Sequence, residues 1–509
     1  MSRKKLFLTG LASSYGLTGL NFLYTLISVP LVLRYLSQSE FGVWALVTQF
    51  SNYLLLIDLG VSASVSRLLA DHKDHKDSSE YAKVFYSSFL VSGIQGLVLL
   101  GLGGLAAWLA PGLAKIPDEL RGIFSCLLLG HVAVTAVSLA FRSLASPLWS
   151  HQRLDISNLG NALGLLLNLI GLGSGLHAGM GMYSLLLGAV LGAMPGLLVP
   201  FLACRIFGYY PKWPGFSHLK SSSFKELFLF SRDIFIFQCG TQMASATQIV
   251  LVSRFLSVES AAAWAIATKA FIFGQQLSNR VMDASAGALT EMFVRSEWMR
   301  FLTRFKDVVG ITAWLSSLLG LGILFFNSPF VAFWTNGRIL WPAHENVWLA
   351  FLLFSSGIAR CYLCLGGIIK EMTSFRWIQL IEAAVMMGLA AWWLPHFGIS
   401  GILAASLLGS AGVSLTIGVT LNSRRLSVSV GSIIAWLWPA FCFLAAGGLI
   451  AGGLDFVCPI QAAWTAGLLI RSLVWLLLAL LSFHFCLRPE IRREVFRFLR
   501  IKSRLGRRS

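Results

Sequence analysis

Eight ionisable side chains stand out because they fall within, or at the edges of, long apolar runs: Arg34, Asp58, Arg254, Lys269, Arg280, Asp283, Arg360 and Glu382. A charge at the centre of a bilayer costs roughly 3 kcal/mol or more, so such residues face water, a partner or a ligand. Lys269 and Arg360 lie too deep to snorkel and are expected to line a water-filled substrate path. Arg34 and Arg254 close the outer ends of their runs, where they either snorkel to headgroups or face the same path. Arg280 and Asp283, three residues apart, share one helical face and suit an ion pair or an inner gate. Asp58 and Glu382 are the carboxylates available to carry a coupling proton or Na⁺, and Arg471, in the last run, is expected to make packing or lipid contacts. Cations outnumber carboxylates along this path. That suits an anionic cargo such as a diphosphate, which guanidinium groups bind well, and not a cationic drug.

The elements that position these residues follow from composition. Of 509 residues 56% are hydrophobic and only 12% charged, whereas about a quarter of a soluble domain is charged. The expected fold is an all-α integral membrane protein. Windows of about 20 apolar residues give about fourteen transmembrane helices, including a second span at 41–63 and an eighth at 261–286. They divide into two pseudo-symmetric six-helix lobes, 1–204 and 229–421, joined by a cytoplasmic link at 205–228. Spans thirteen and fourteen (422–487) and a basic tail (488–509) complete the chain. With the amino terminus inside, about 31 of the 40 Lys and Arg fall in cytoplasmic segments and five in outer links, as the positive-inside rule requires. Both termini are then cytoplasmic. The net charge of +18 is thereby explained by orientation, and nucleic acid is not expected as a partner.

The two lobes share a repeated phrase. Residues 34–48 align without a gap on residues 254–268, with Arg34/Arg254, Leu36/Leu256, Ser37/Ser257, Trp44/Trp264, Ala45/Ala265 and Thr48/Thr268 identical. Both copies join the first and second spans of their lobe, the mark of a transporter built by duplication. In the link, Ser223 and Glu226 have capping-box spacing and open a helix suited to the inner membrane surface. The tail reads as an amphipathic helix held to anionic headgroups. Residues 71–77 alternate Asp, His and Lys and read as a solvated loop, and Cys361 and Cys364 as packing residues, so neither a metal nor a cofactor is expected. A membrane enzyme, such as a glycan polymerase or glycosyltransferase, needs paired acids and bases outside the bilayer. The longest outer link, 327–346, offers only Arg338, His344 and Glu345.

A basic start, then PLVLRYLS at 30–37, EFGVWAL at 40–46 and LGVSASVSR at 59–67, resembles the amino-terminal signature of bacterial polysaccharide flippases. These belong to the multidrug/oligosaccharidyl-lipid/polysaccharide exporter superfamily. The motif covers about the first seventy residues, and the span layout extends the resemblance along the chain. The resemblance implies two lobes that alternate access across the inner membrane and a cationic cavity, here Lys269 and Arg360. It implies a cargo of undecaprenyl-diphosphate-linked glycan moved to the outer leaflet for surface polysaccharide (O-antigen, capsule or exopolysaccharide), with membrane lipids, a polymerase and chain-length machinery as partners. Peptidoglycan-precursor flippases carry more arginines in their first two spans and rank second. Drug or cation antiporters of the superfamily have twelve spans and an acidic amino-lobe site, and rank third.

Overall fold

The computed structural model describes residues 3–58, 61, 65, 69, 79–151, 153–211, 221–369, 372–457 and 464–493. Among these every regular element is a helix: α1 (Arg3–Tyr35), α2 (Gln38–Leu54), α3 (Ser79–Leu113), α4 (Asp118–Phe141), α5 (Leu154–His177), α6 (Tyr183–Ile206), α7 (Ser221–Phe255), α8 (Val258–Ala267), α9 (Lys269–Val294), α10 (Trp298–Trp334), α11 (Glu345–Ile368), α12 (Met372–Phe397), α13 (Ile399–Leu426), α14 (Val430–Val457) and α15 (Trp464–Cys486). Residues 71–77, the side chains of the 223–226 capping pattern and residues 494–509 of the tail lie outside the described residues.

Twelve of the described helices are long and apolar enough to cross a membrane. The two expected spans missing from that count are the second and the eighth, which are equivalent positions of the repeat. Both exist as helices. The second is α2, only 17 residues long, followed by a 3₁₀ turn at Leu55–Asp58. The eighth breaks at Thr268 into α8 and α9, and α9 is too polar to qualify. The link helix expected near residue 224 is the start of α7, which runs unbroken for 35 residues. The outer link expected at 327–346 is shorter too, because α10 continues to Trp334. At about 1.5 Å per residue α10 spans about 55 Å, well beyond the ~30 Å hydrocarbon core.

Packing divides the chain into two compact units, Met1–Ala265 and Ile266–Ser509. Helix α7, which opens the second repeat, packs on α2 and α3 and so belongs to the first unit. In that unit α5 and α6 meet most closely, through Gly160, Gly164, Gly171 and Gly175 on one face of α5. A Cβ at Gly164 would lie 2.5 Å from the Gly192 carbonyl, and one at Gly175 would lie 3.0 Å from Ser184. Without a hydrophobic drive between helices in lipid, such small residues let dispersion and backbone contacts accumulate.

The second unit is built around α10 and α11, where Phe301, Phe305, Phe325, Ile358, Cys361 and Tyr362 are fully buried. Cys361 donates its thiol to Thr312 at 3.5 Å, a packing role. Helices α14 and α15 are tied to this core. Trp314 Nε1 donates to Ser482 Oγ at 3.1 Å, and Arg488 reaches Asp307 on α10 at 2.7 Å. Arg471, 2% exposed, donates to Asp455 at 2.6 Å, so its partner is a carboxylate on α14 rather than lipid. At the end of α10, Asn346 Oδ1 accepts from both Trp341 Nε1 (3.0 Å) and Asn327 Nδ2 (2.9 Å), while Asn327 also donates to the Ala267 carbonyl. Replacing Asn346 with Leu removes an acceptor that two buried donors share. The expected loss is about 1–3 kcal/mol of stability, read as a lower unfolding midpoint in detergent with helicity unchanged below the transition.

Candidate functional site

The repeated phrase has a structural explanation. Ser37 is the N-cap of α2: its hydroxyl accepts from Glu40 N, and the Glu40 carboxylate accepts from Ser37 N at 2.7 Å, a complete capping box. Its equivalent, Ser257, precedes α8 and accepts from Ser260 N at 3.1 Å. The Ser-x-x-Glu spacing of Ser37 and Glu40 is itself a capping signal. Arg254 ends α7 and donates to the Leu113 carbonyl at 3.0 Å, whereas Arg34 is exposed and has no polar partner among the described residues.

The two copies also touch each other. Ser39 Oγ hydrogen-bonds Glu259 Oε1, and Gln38 Nε2 donates to the Glu259 carbonyl at 2.9 Å. Gly42 sits against Val258 so tightly that a Cβ there would overlap the Val258 carbonyl oxygen. Ser39 and Glu259 are 220 positions apart, the same offset that relates the repeats, so equivalent positions meet. Below this seam Tyr53 bonds Thr247, and Gln242 donates to the Asn52 carbonyl at 3.3 Å.

In the second unit the chemistry gathers on α9. Lys269, Gln276, Arg280, Asp283, Gly287 and Glu291 recur at helical spacing. All but the half-buried Lys269 are exposed, while Gly274, Ser278, Met282 and Leu289 are buried on the other side. A helix with one apolar and one charged face, flanked by spans, faces water within the membrane or at its surface. Lys269 is the first residue of α9 and has no hydrogen-bond or ion-pair partner among the described residues. Arg360, on α11, donates Nη2 to Asp283 Oδ1 at 3.2 Å, and its Nε has no acceptor. The expected Arg280–Asp283 pair is therefore corrected: Asp283 pairs across helices with Arg360, and Arg280 points out without a partner among the described residues. Gln275 reaches Ser356, one turn before Arg360, at 3.3 Å.

The two coupling candidates differ. Asp58, in the 3₁₀ turn after α2, is bound by Arg142 at 2.5 Å. Glu382 on α12 has no cationic partner among the described residues: Gln379 Nε2 (2.8 Å) and the Ser414 hydroxyl both donate to its Oε2. Ser414 lies in a seven-residue π-helical stretch of α13, Gly409–Leu415, and Gly409 faces the Glu382 backbone. Single π turns often mark functional sites. Neither the π turn nor the Arg142 partnership left a sequence signal.

Comparison with solved structures defines the class. The fold matches an inward-facing multidrug resistance MATE family transporter of the MOP superfamily, with TM-score 0.65 and 14% identity over 80% of this chain and 94% of that one. It matches the lipid II flippase MurJ in an inward closed conformation equally well, at 0.65 and 15% over 93% and 98%. The Vibrio cholerae MATE transporter VcmN in its bent form follows at 0.58 and 13% over 83% and 98%. The protein thus has the fold of the MOP-superfamily transporters and spans the membrane many times. Residues 7–285, more than half of the chain, match the family described as polysaccharide biosynthesis protein, and the chain belongs to that family. No curated protein matches it in sequence.

The seam carries a pH-dependent contribution. The Ser39 hydroxyl lowers the Glu259 carboxyl below its ordinary 4.5, against a smaller opposing effect of burial. A depressed carboxylate adds stability above its unfolded value and loses it as pH falls through the folded one. The difference in unfolding midpoint between wild type and Ser39→Ala is therefore expected to hold above pH 4.5 and to shrink below it. A pH series in detergent checks this.

Proposed function

We propose that the protein is a flippase that moves an undecaprenyl-diphosphate-linked oligosaccharide from the inner to the outer leaflet of the bacterial cytoplasmic membrane, for assembly of surface polysaccharide. Membership of the polysaccharide biosynthesis family supports the pathway. The observation that carries the cargo chemistry is the charged face of α9, which starts at the half-buried Lys269, without an acceptor among the described residues, and about four turns further on pairs Asp283 with Arg360 of α11. A diphosphate-sugar headgroup cannot enter hydrocarbon without replacement of its hydration. An ammonium and a guanidinium with an unused N–H supply that replacement, while the prenyl tail stays in lipid.

The Lys and Arg distribution supports assigning the seam around Gly42 and Ser39 to the outer face and both termini to the cytoplasm. The cargo would then pass to a polymerase and its chain-length machinery. A coupled mechanism is favoured by one feature, Glu382 held by Gln379 and Ser414 at the π turn, free of any cation among the described residues. A proton or Na⁺ there would link an ion gradient to the cycle.

The test uses cells lacking this protein with glycan synthesis intact. Prenyl-diphosphate-linked oligosaccharide is expected to accumulate facing the cytoplasm. Lys269→Ala and Arg360→Ala, present in the membrane at wild-type levels, are expected to fail to restore export, and Arg360→Lys to restore it in part. Unchanged surface glycan and no accumulation would sink the flippase reading and bring drug or ion export forward.

A further inference from the structure

Helices α2 and α7 of the first unit carry a polar face that holds no charge. Gln49, Asn52 and Tyr53 lie on one side of α2, and Gln238, Gln242 and Ser245 on one side of α7. The two sides adjoin: Gln242 Nε2 donates to the Asn52 carbonyl at 3.3 Å, and the Tyr53 hydroxyl hydrogen-bonds Thr247. Val43, Leu46 and Val47 of α2 and Ala246, Ile249 and Val252 of α7 are buried instead. From Phe41 to Leu54 and from Phe235 to Ser253 the chain has no Asp, Glu, Lys or Arg, yet α7 is the least apolar of the twelve spans. Its polarity is all amide and hydroxyl.

Amides within a span usually join helices, and Gln242 does so. The side-chain amides of Gln49, Asn52 and Gln238 have no hydrogen-bond partner among the described residues. They are also within reach: Asn52 and Gln238 are exposed, and no amide atom of the half-buried Gln49 is closed off. Against hydrocarbon such groups are costly, so this face meets water or a polar ligand. The groups themselves select the ligand. A carboxamide offers two N–H donors and a carbonyl acceptor. A phosphate only accepts, so it would leave the carbonyls idle and find no cation to balance it. An ammonium only donates and would find no carboxylate. A sugar hydroxyl donates and accepts, and a row of hydroxyls matches a row of amides. We propose that this face binds the glycan part of the cargo through its hydroxyl and acetamido groups. A site built to pair with hydroxyls rejects an analogue lacking them far more strongly than an apolar pocket does, so the face would also set which repeat unit is carried.

This inference rests on the flippase reading, and its test separates the two. Binding to the full-length protein in detergent is measured by native mass spectrometry with two probes. One is undecaprenyl diphosphate, and the other is the undecaprenyl-diphosphate-linked oligosaccharide extracted from cells lacking the protein. Wild type is expected to hold the oligosaccharide-bearing lipid about tenfold more tightly, equivalent to about 1.4 kcal/mol. Gln49→Leu, Asn52→Leu and Gln238→Leu are each expected to erase most of that preference and to bind undecaprenyl diphosphate as wild type does. Each change removes an amide without a partner among the described residues, so the unfolding midpoint is expected to hold. Equal binding of the two lipids by wild type, or a preference untouched by all three changes, would overturn the glycan assignment and leave the flippase reading standing. Variants that lose both lipids together would make the amides structural and overturn it too. Failure of wild type to bind either lipid would sink the cargo reading, and this inference with it.

Discussion

The constraint on which the rest depends is the cost of charge in hydrocarbon. Helix α9 carries Lys269, Arg280, Asp283 and Glu291 in a chain that is 56% hydrophobic. Such a helix is tolerable only if its apolar side, Gly274, Ser278, Met282 and Leu289, is packed and its charged side is wet or occupied. The second unit meets the first condition by setting α9 against α10 and α11, the helices of its buried core. The second condition is what turns an architectural cost into a site. Asp283 takes up part of the positive charge through Arg360, and Lys269 has no ion-pair partner among the described residues. An uncompensated ammonium in such a place is stable only when something anionic or aqueous is available to it.

The same constraint explains which parts of the fold could be read from the sequence. Long apolar runs leave no alternative to helices, because every backbone group must be satisfied within its own segment. The all-helical class and the approximate span number follow directly. The helices hardest to count miss for different reasons: α2 is short, at 17 residues, the eighth span breaks at Thr268, and α9 is too polar for a hydropathy measure. Lys269 and Arg360 stand out in the sequence by their depth in apolar runs, whereas the partner of Arg360 does not. Arg280 and Asp283 have the right spacing within one helix, yet Arg360, 77 residues away, supplies the pairing. An i, i+3 contact on an exposed face contributes little, and a cross-helix partner with an unused N–H competes successfully. The Asp58–Arg142 and Arg471–Asp455 pairs have the same origin, tertiary contacts that no local pattern announces.

Duplication accounts for the repeated phrase only in part. Ser37 and Ser257 are identical because both start helices, a local requirement that each copy must meet by itself. Where the copies meet, identity is absent: Ser39 faces Glu259, and Gln38 is the counterpart of Val258. Two surfaces related by a two-fold axis meet their own equivalents at that axis, so a side chain there must be compatible with itself. Two glutamates at 39 and 259 would repel, and two serines would span less distance. The observed Ser–Glu pair is a solution open to a fused duplicate and closed to a symmetric dimer.

The close approach at Gly42 is one-sided for the same reason. Its counterpart, Ala262, is fully buried, while only at Gly42 does the missing Cβ admit the Val258 carbonyl. One copy supplies the gap and the other the ridge. Such a contact is held by packing and two hydrogen bonds to Glu259, with no charge pair across it among the described residues. Interactions of that kind are individually worth about 1 kcal/mol, so the contact is a modest one. A seam built from paired opposite charges buried against each other would resist opening far more. Among the described residues no charge pair crosses this contact, whereas Asp58, Asp283 and Asp455 are each paired with an arginine.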